Sequence, residues 1–221
     1  ESHYLAKDKI KTNDLLLKNN IPVPNHFIIN KNNKNIYLKN NKIGFPCVLK
    51  PINGMQGKDV NTFIENQEKL NEILNKLLNN YDEIMMENQI YGNNYRIFVF
   101  NDKVMDVIER EQPFVIGNGV TSLEELIQKK NEFQKENNLF PTNNLDWEYM
   151  EKQGFSKNQI IPNRKKIFIT NTINFHNGAN PVRIPISEIP QDNIDIFNKA
   201  HKLLNLSCSG IDYMSNDIRV P

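Results

Sequence analysis

A lysine closes an apolar strand in Phe45-Pro46-Cys47-Val48-Leu49-Lys50-Pro51, and two glycines follow at Gly54 and Gly57. The pattern predicts a strand over 46–51, a tight turn, and a second strand over 58–64. An ammonium at the end of a buried strand is costly unless something pairs with it. An anion held under the turn would do so, because Gly54 and Gly57 let backbone N–H groups approach phosphate oxygens. The turn is not a Walker A loop, since no Gly-Lys-Ser/Thr leads into a helix. A plain hairpin with a surface lysine is the other reading of the same residues.

With 221 residues the chain has room for one large domain or two smaller lobes. Lys plus Arg is 27 and Asp plus Glu is 26, and a net charge of +1 predicts no nucleic-acid or membrane footprint. Asparagine is abundant but spread among apolar and charged positions, unlike a prion-like tract. Cys47 and Cys208 both fall in apolar strand-like runs. Two buried thiols predict no disulfide framework and a reducing, cytoplasmic setting. No spacing among the cysteines and the four histidines suits zinc. No stretch is long enough to span a bilayer and no signal peptide is visible. The chain opens on Glu1 rather than Met, so a piece of a longer protein is expected.

Helices are predicted over 8–18, 66–78 and 191–204, with shorter helical turns at 35–41 and 147–153. Leu70, Ile73, Leu74, Leu77 and Leu78 make the clearest apolar stripe. Thr121-Ser122-Leu123-Glu124 opens a further helix as a capping box, with Ser or Thr at the cap. Strands are predicted at 26–29, 84–89, 167–169 and 209–214. Tyr95–Phe100 and Lys103–Glu109 form a hairpin across Asn101-Asp102. Residues 171–187 read as a long polar loop. The mixture of strands, helices and hairpins predicts an α+β fold, with a lobe boundary near Tyr91-Gly92.

Taken in order, these features resemble the ATP-grasp ligases. The likeness is to the ATP-grasp module of cyanophycin synthetases and the glutathione-synthetase module of bifunctional glutathione-forming enzymes. The residues that carry it are Asp8-Lys9 with Thr12 and Leu16, Ile21-Pro22-Val23-Pro24, and Phe45-Pro46 with Val48-Leu49-Lys50-Pro51. The Gly54–Gly57 loop, Glu87 with Ile90 and Gly92, Tyr95-Arg96 and Arg110 continue the series. Val115-Ile116-Gly117-Asn118-Gly119 with Thr121, then Glu125-Leu126-Ile127, Asn131, Asn174 with Gly178, and Gly210-Ile211-Asp212 complete it. No single short motif is specific, but their order and spacing cover almost the whole chain.

The resemblance implies an ATP-grasp fold, in which two α+β lobes with antiparallel or mixed sheets clasp ATP. The lobes would be 1–90 and 91–221, the second lacking its end. It implies a carboxylate–amine ligase acting on an amino acid or small peptide through an acyl phosphate, with ATP and Mg²⁺. Such chemistry rests on charge neutralisation and in-line positioning more than on a covalent nucleophile. By similarity Lys9 and Lys50, with Gly54, Met55, Gln56 and Gly57, would contact the phosphates. Glu87, Asn88 and Ile90 would border the adenine, Asn94 the ribose, and Asp212 the metal. Arg96, Arg110 and Asn174 would serve the reacting phosphate or the substrate carboxylate, as planar, always-charged forks suit oxyanions. A homo-oligomer is compatible with this reading.

Three departures from the family pattern stand out. Asn94 replaces an acid. Thr170-Asn171-Thr172-Ile173 lacks the arginine that relatives carry before the asparagine, leaving Arg183 as the nearest cation on that loop. The chain reaches Pro221 before a Glu-x-Asn metal-binding strand, so residues 1–221 alone are expected not to ligate. A two-residue turn at Asn101-Asp102 would also put Arg96 with Glu109, as a possible diagonal ion pair, and Arg110 on the opposite face unless a bulge or strand end intervenes. Two alternatives follow: a degenerate module that binds nucleotide and regulates or scaffolds, and a kinase sharing the grasp lobes.

Overall fold

The computed structural model describes residues 8–35, 43–53 and 59–221. They fall into two compact units, one of Glu1–Gly92, Phe98–Met105 and Ile189–Pro221, the other of Asn93–Ile97 and Asp106–Glu188.

In the first unit, helix α1 (Lys9–Lys18) starts at Asp8, whose carboxylate accepts from the N–H groups of Ile10 and Lys11, each at 3.1 Å. That cap satisfies orphan donors of the first turn and fixes Lys9 as its first residue. Strands β1 (His26–Asn30), β2 (Cys47–Pro51), β3 (Asn61–Ile64) and β4 (Glu83–Asn88) form an antiparallel sheet in the order β1-β4-β2-β3. Helix α2 (Gln67–Asn80), capped by Asn66, covers one face. Its Leu70, Leu74, Leu77 and Leu78 join Ile29, Cys47, Leu49, Ile64, Ile84 and Met86 in one core. Strand alternation sends Val48, Lys50, Met85 and Glu87 to the other face. Val48 is paired with Glu87, and Lys50 with Met85, so Lys50 and Glu87 are diagonal neighbours on that face.

A hairpin of β5 (Asn93–Phe100) and β6 (Lys103–Glu111) runs through both units. Its tip lies in the first. Asn101 and Asp102 take φ values of 46° and 60°, the left-handed pair that a two-residue type I′ turn requires. Helix α5 (Gln191–Leu203, after the α3 and α4 of the second unit given below) and strand β10 (Cys208–Ser215) complete the first unit. Phe197 meets Tyr213 edge-on at 5.0 Å between ring centres. Gly92 has φ 135°, and a Cβ there would stand 2.8 Å from the Ser215 carbonyl. Only glycine suits a residue with that backbone and that approach.

In the second unit, β7 (Phe114–Ile116) pairs with β8 (Lys166–Phe168). Helix α3 (Leu123–Glu136) opens on a capping box formed by Ser122 and Glu125, which places the serine rather than the threonine at the cap. With α4 (Trp147–Lys152) it encloses Val115, Leu123, Ile127, Met150, Ile161, Ile167 and Ile169.

Three expectations need correction or fall away. The stretch 171–187 is not only loop: it holds β9 (Asn180–Arg183), flanked by two short 3-10 turns and paired with the end of β6. Pro181 hid this strand, because proline in a run argues against a central strand but is tolerated at a sheet margin. Cys208 is exposed rather than buried, whereas Cys47 is fully buried and burial pushes its thiol up to about 11; both are free. The helical turn expected at 35–41 and the Gly54–Gly57 loop lie almost wholly outside the described residues. Among the described residues no helix is long and apolar enough to cross a membrane.

Candidate active site

Lys9 comes from the start of α1 to the end of β2. Its Nζ donates to the carbonyls of Ile52 at 2.9 Å and Pro51 at 3.2 Å, the last residues before the glycine loop. Lys50 forms an ion pair with Glu87, whose side chain is 9% exposed against 24% for the lysine. Burial lowers the Lys9 ammonium below the usual lysine range, the charge of Lys50 lowers it further, and Glu87 acts the other way. Two partly buried lysines thus lie near the Glu87 carboxylate at the end of β2. Such a local concentration of cations suits an anionic ligand.

The Lys9 shift gives a pH expectation. A bound polyphosphate favours protonated Lys9. Nucleotide affinity should therefore be full below the pKa of Lys9 in the empty protein and fall as pH rises through it. Folding stability should move oppositely: between that lowered pKa and 10.5 the unfolded chain binds more protons, so stability rises with pH. Titration calorimetry with ATP across this alkaline range checks the first sign. A Lys9→Met protein with an unchanged pH dependence would remove Lys9 from the phosphate site.

Beyond Glu87 the chain bends. The N–H groups of Asn88 and Gln89 donate to the carbonyls of Asn25 and Pro46, each at 3.2 Å. Main-chain reading of a base here would therefore fall to residues after Gln89. Asn88 turns toward the α2 side of the sheet, opposite Glu87, and Ile90 is half-buried.

The second unit groups Arg110, Asn94, Asn174 and Phe175. Arg110 Nε donates to Asn94 Oδ1 at 2.7 Å, and its Nη2 donates to the same oxygen. Cζ of Arg110 lies 5.9 Å from the centre of the Phe175 ring. Asn94 is two residues from Arg96 on β5 and shares its face. Arg110 therefore reaches the Arg96 face despite the alternation that would separate them. Asn174 caps the turn Phe175–Asn177 by accepting from the His176 N–H at 2.9 Å. Gly178 ends that turn at φ 76°, where a Cβ would fall 2.1 Å from Thr142 Oγ1. Arg183 is three-quarters exposed and bonded to Asp106 at 2.8 Å, so its guanidinium is engaged on the surface.

One constellation escaped the sequence. His201, fully buried on α5, has Nδ1 2.7 Å from Ser209 Oγ and Nε2 3.7 Å from Asp102 Oδ1. The grouping resembles a hydrolase triad in composition only. A ring sealed from solvent, with the carboxylate beyond hydrogen-bond reach, cannot shuttle protons to a substrate. It ties the hairpin tip to α5 and β10, and no periodicity in the sequence announces contacts across such separations.

Asp212 lies on β10, alternating with Gly210 and Met214 on its exposed side. Among the described residues no group of three or more His, Cys, Asp or Glu side chains could hold a metal ion. Fewer than three such groups do not make a protein cage for Mg²⁺. A carboxylate such as Asp212 does suit an ion carried on nucleotide phosphates, which needs only one or two protein carboxylates.

Residues 6–117 match the RimK-like ATP-grasp domain, and the chain belongs to that family. A cyanophycin synthetase of Geminocystis herdmanii is 29% identical over 226 residues, covering 98% of this chain and 26% of its own length. A bifunctional glutathione synthetase from Pasteurella multocida superimposes with a TM-score of 0.61 at 20% identity, over 100% of this chain and 31% of that one. A D-alanine–D-alanine ligase from Bacillus anthracis, solved with ATP, gives 0.57 at 16% identity, over 98% and 54%. These likenesses establish the α+β ATP-grasp fold. The chain spans about a quarter of the cyanophycin synthetase it matches.

Proposed function

We propose that the protein is an ATP-dependent carboxylate–amine ligase that joins an amino acid or small peptide through an acyl phosphate. The observation that carries this reading is the pair of partly buried lysines at the end of β2, Lys9 donating to the Ile52 carbonyl and Lys50 paired with Glu87. Membership of the ATP-grasp family supports it. In the proposed sequence a substrate carboxylate oxygen attacks the γ-phosphorus of ATP and the bond to the bridging oxygen of ADP breaks. An amine then attacks the acyl carbon, phosphate departs with the C–O electron pair, and the nitrogen loses a proton. Lys9 and Lys50 hold the polyphosphate, and the family resemblance assigns Gly54, Met55, Gln56 and Gly57 to the same phosphates. Glu87, Asn88 and Ile90 border the base. Arg96, Arg110 and Asn174 are the residues proposed to serve the developing negative charge, because fixed donors act most strongly there. Asp212 would hold Mg²⁺, which would screen the phosphate charge.

A second reading is a module that binds nucleotide without ligating. Its support is the stretch Thr170–Ile173, which has no cation, while Arg183 is committed to Asp106. One assay separates the two. In the full-length protein, phosphate release from ATP should require a carboxylate and an amine together, and Asp212→Asn should abolish it while the protein stays folded. ATP binding without such release would establish the second reading. An Asp212→Asn protein that unfolds but keeps its activity per folded molecule would make Asp212 structural.

A further inference from the structure

Gln89 joins two backbones through one side chain. Its Oε1 accepts from the N–H of Phe63 at 3.1 Å, and its Nε2 donates to the carbonyl of Ile90 at 2.9 Å. An N–H needs an acceptor and a carbonyl needs a donor, so the two ends of the amide are assigned unambiguously. Phe63 sits in a bulge: Cys47 pairs with Ile64 and Leu49 with Asn61, which leaves Thr62 and Phe63 opposite Val48. Its φ of 54° is a left-handed backbone that glycine takes freely and phenylalanine takes at a cost. Burial of the ring offsets little of that cost, because Phe63 is 47% exposed. The ring instead meets that of Tyr91, itself 61% exposed, edge-on at 5.9 Å between centres. Strained residues held in place by their surroundings gather at ligand sites. Phe63, Gln89, Ile90 and Tyr91 all belong to the first unit, just beyond Glu87 at the end of β4 and on the strand that follows Gly54–Gly57 in the sequence.

We infer that Gln89 is a positioning residue for the base of the nucleotide: it locks the peptide between Ile90 and Tyr91 onto the bulge of β3, and the Phe63 and Tyr91 rings complete an apolar seat for a purine beside Ile90. This rests on the nucleotide reading given above. It adds the residues that tell a nucleoside triphosphate from bare polyphosphate. Lys9 and Lys50 would hold both alike, since an ammonium acts on phosphate as a point charge. Only the base would feel the clip. Two exposed rings on a backbone that is already fixed offer a purine stacking and edge contacts with little further loss of freedom.

Affinities of the full-length protein for ATP and for inorganic tripolyphosphate, measured by calorimetry with Mg²⁺, test the inference in the wild type, Gln89→Leu and Phe63→Gly. The wild type should bind ATP more tightly than tripolyphosphate. Gln89→Leu, which keeps the bulk of the side chain and removes both hydrogen bonds, should weaken ATP by roughly tenfold and leave tripolyphosphate unchanged. Phe63→Gly suits the left-handed backbone and keeps the N–H that Gln89 accepts. It should weaken ATP in the same selective way while its thermal midpoint stays at or above that of the wild type. A loss of affinity without a loss of stability is not what a merely structural ring produces. If Gln89→Leu does not fold, Phe63→Gly decides alone. Equal losses for both ligands in the folded variants, or no loss for ATP, would overturn the inference. A Phe63→Gly midpoint below that of the wild type makes the ring structural and also overturns it. A wild type that binds both ligands equally removes the inference and leaves the phosphate site standing. A wild type that binds neither removes the nucleotide reading, and the inference with it.

Discussion

Lys50→Ala should lower affinity for Mg²⁺-ATP by about 1.5–3 kcal/mol, the usual worth of a hydrogen bond to a charged group. It also destabilises the protein, because Glu87 is only 7% exposed and loses its ion-pair partner. Breaking a buried pair typically costs about 3–5 kcal/mol, and the partly exposed Lys50 places this case toward the lower end. The two effects are separable. In Lys50→Ala/Glu87→Gln the carboxylate left behind is no longer charged, so most of the lost stability returns. The lost affinity does not, since the cation is still missing. Chemical denaturation and calorimetry on the single and double variants measure both quantities. Recovery of ATP affinity in the double variant would mean that Lys50 matters only through folding.

If Arg110 serves the proposed reaction, Arg110→Ala should reduce turnover in the full-length protein by about 10²-fold or more, the scale of removing one fixed donor from a developing oxyanion. Arg110→Lys restores little. A lysine has one nitrogen, which cannot hold Asn94 through the positions of Nε and Nη2 and also present a planar edge to phosphate. Steady-state phosphate release gives the measurement. A raised KM at unchanged kcat would place Arg110 in ground-state binding instead.

Local patterns in the sequence led directly to much of this architecture. Leu70, Leu74, Leu77 and Leu78 announce the buried face of α2 by their spacing, and all four are in the core. Asn101-Asp102 marks a two-residue turn, and its left-handed backbone follows. The capping box before α3 reads from four residues, with only the choice between Thr121 and Ser122 left to the structure. The candidate site behaves differently. Lys9 bonds to residues more than forty positions away, and Arg110 to Asn94 sixteen positions back. Such pairs leave no periodic trace. The sequence points to which charged residues matter, but not to the pairing of Asn94 with Arg110 or of Glu87 with Lys50. Strand β9 was missed for a related reason: four residues that include a proline look like loop until β6 lies beside them.

The discontinuity of the first unit has a consequence for the growing chain. Its parts are Glu1–Gly92, Phe98–Met105 and Ile189–Pro221, whereas almost all of the second unit is the single run Asp106–Glu188. During synthesis the sheet β1-β4-β2-β3 and α2 are in hand early, but α5 and β10 arrive only after the whole of that run has emerged. His201, bonded to Ser209, meets Asp102 across about a hundred residues. Loop closure over such a span is slow compared with the local pairing of a hairpin. The second unit is therefore placed to finish folding while the first still waits for its last helix and strand. The strand that bears Asp212 emerges after the whole second unit, so the proposed metal position would be assembled after that unit.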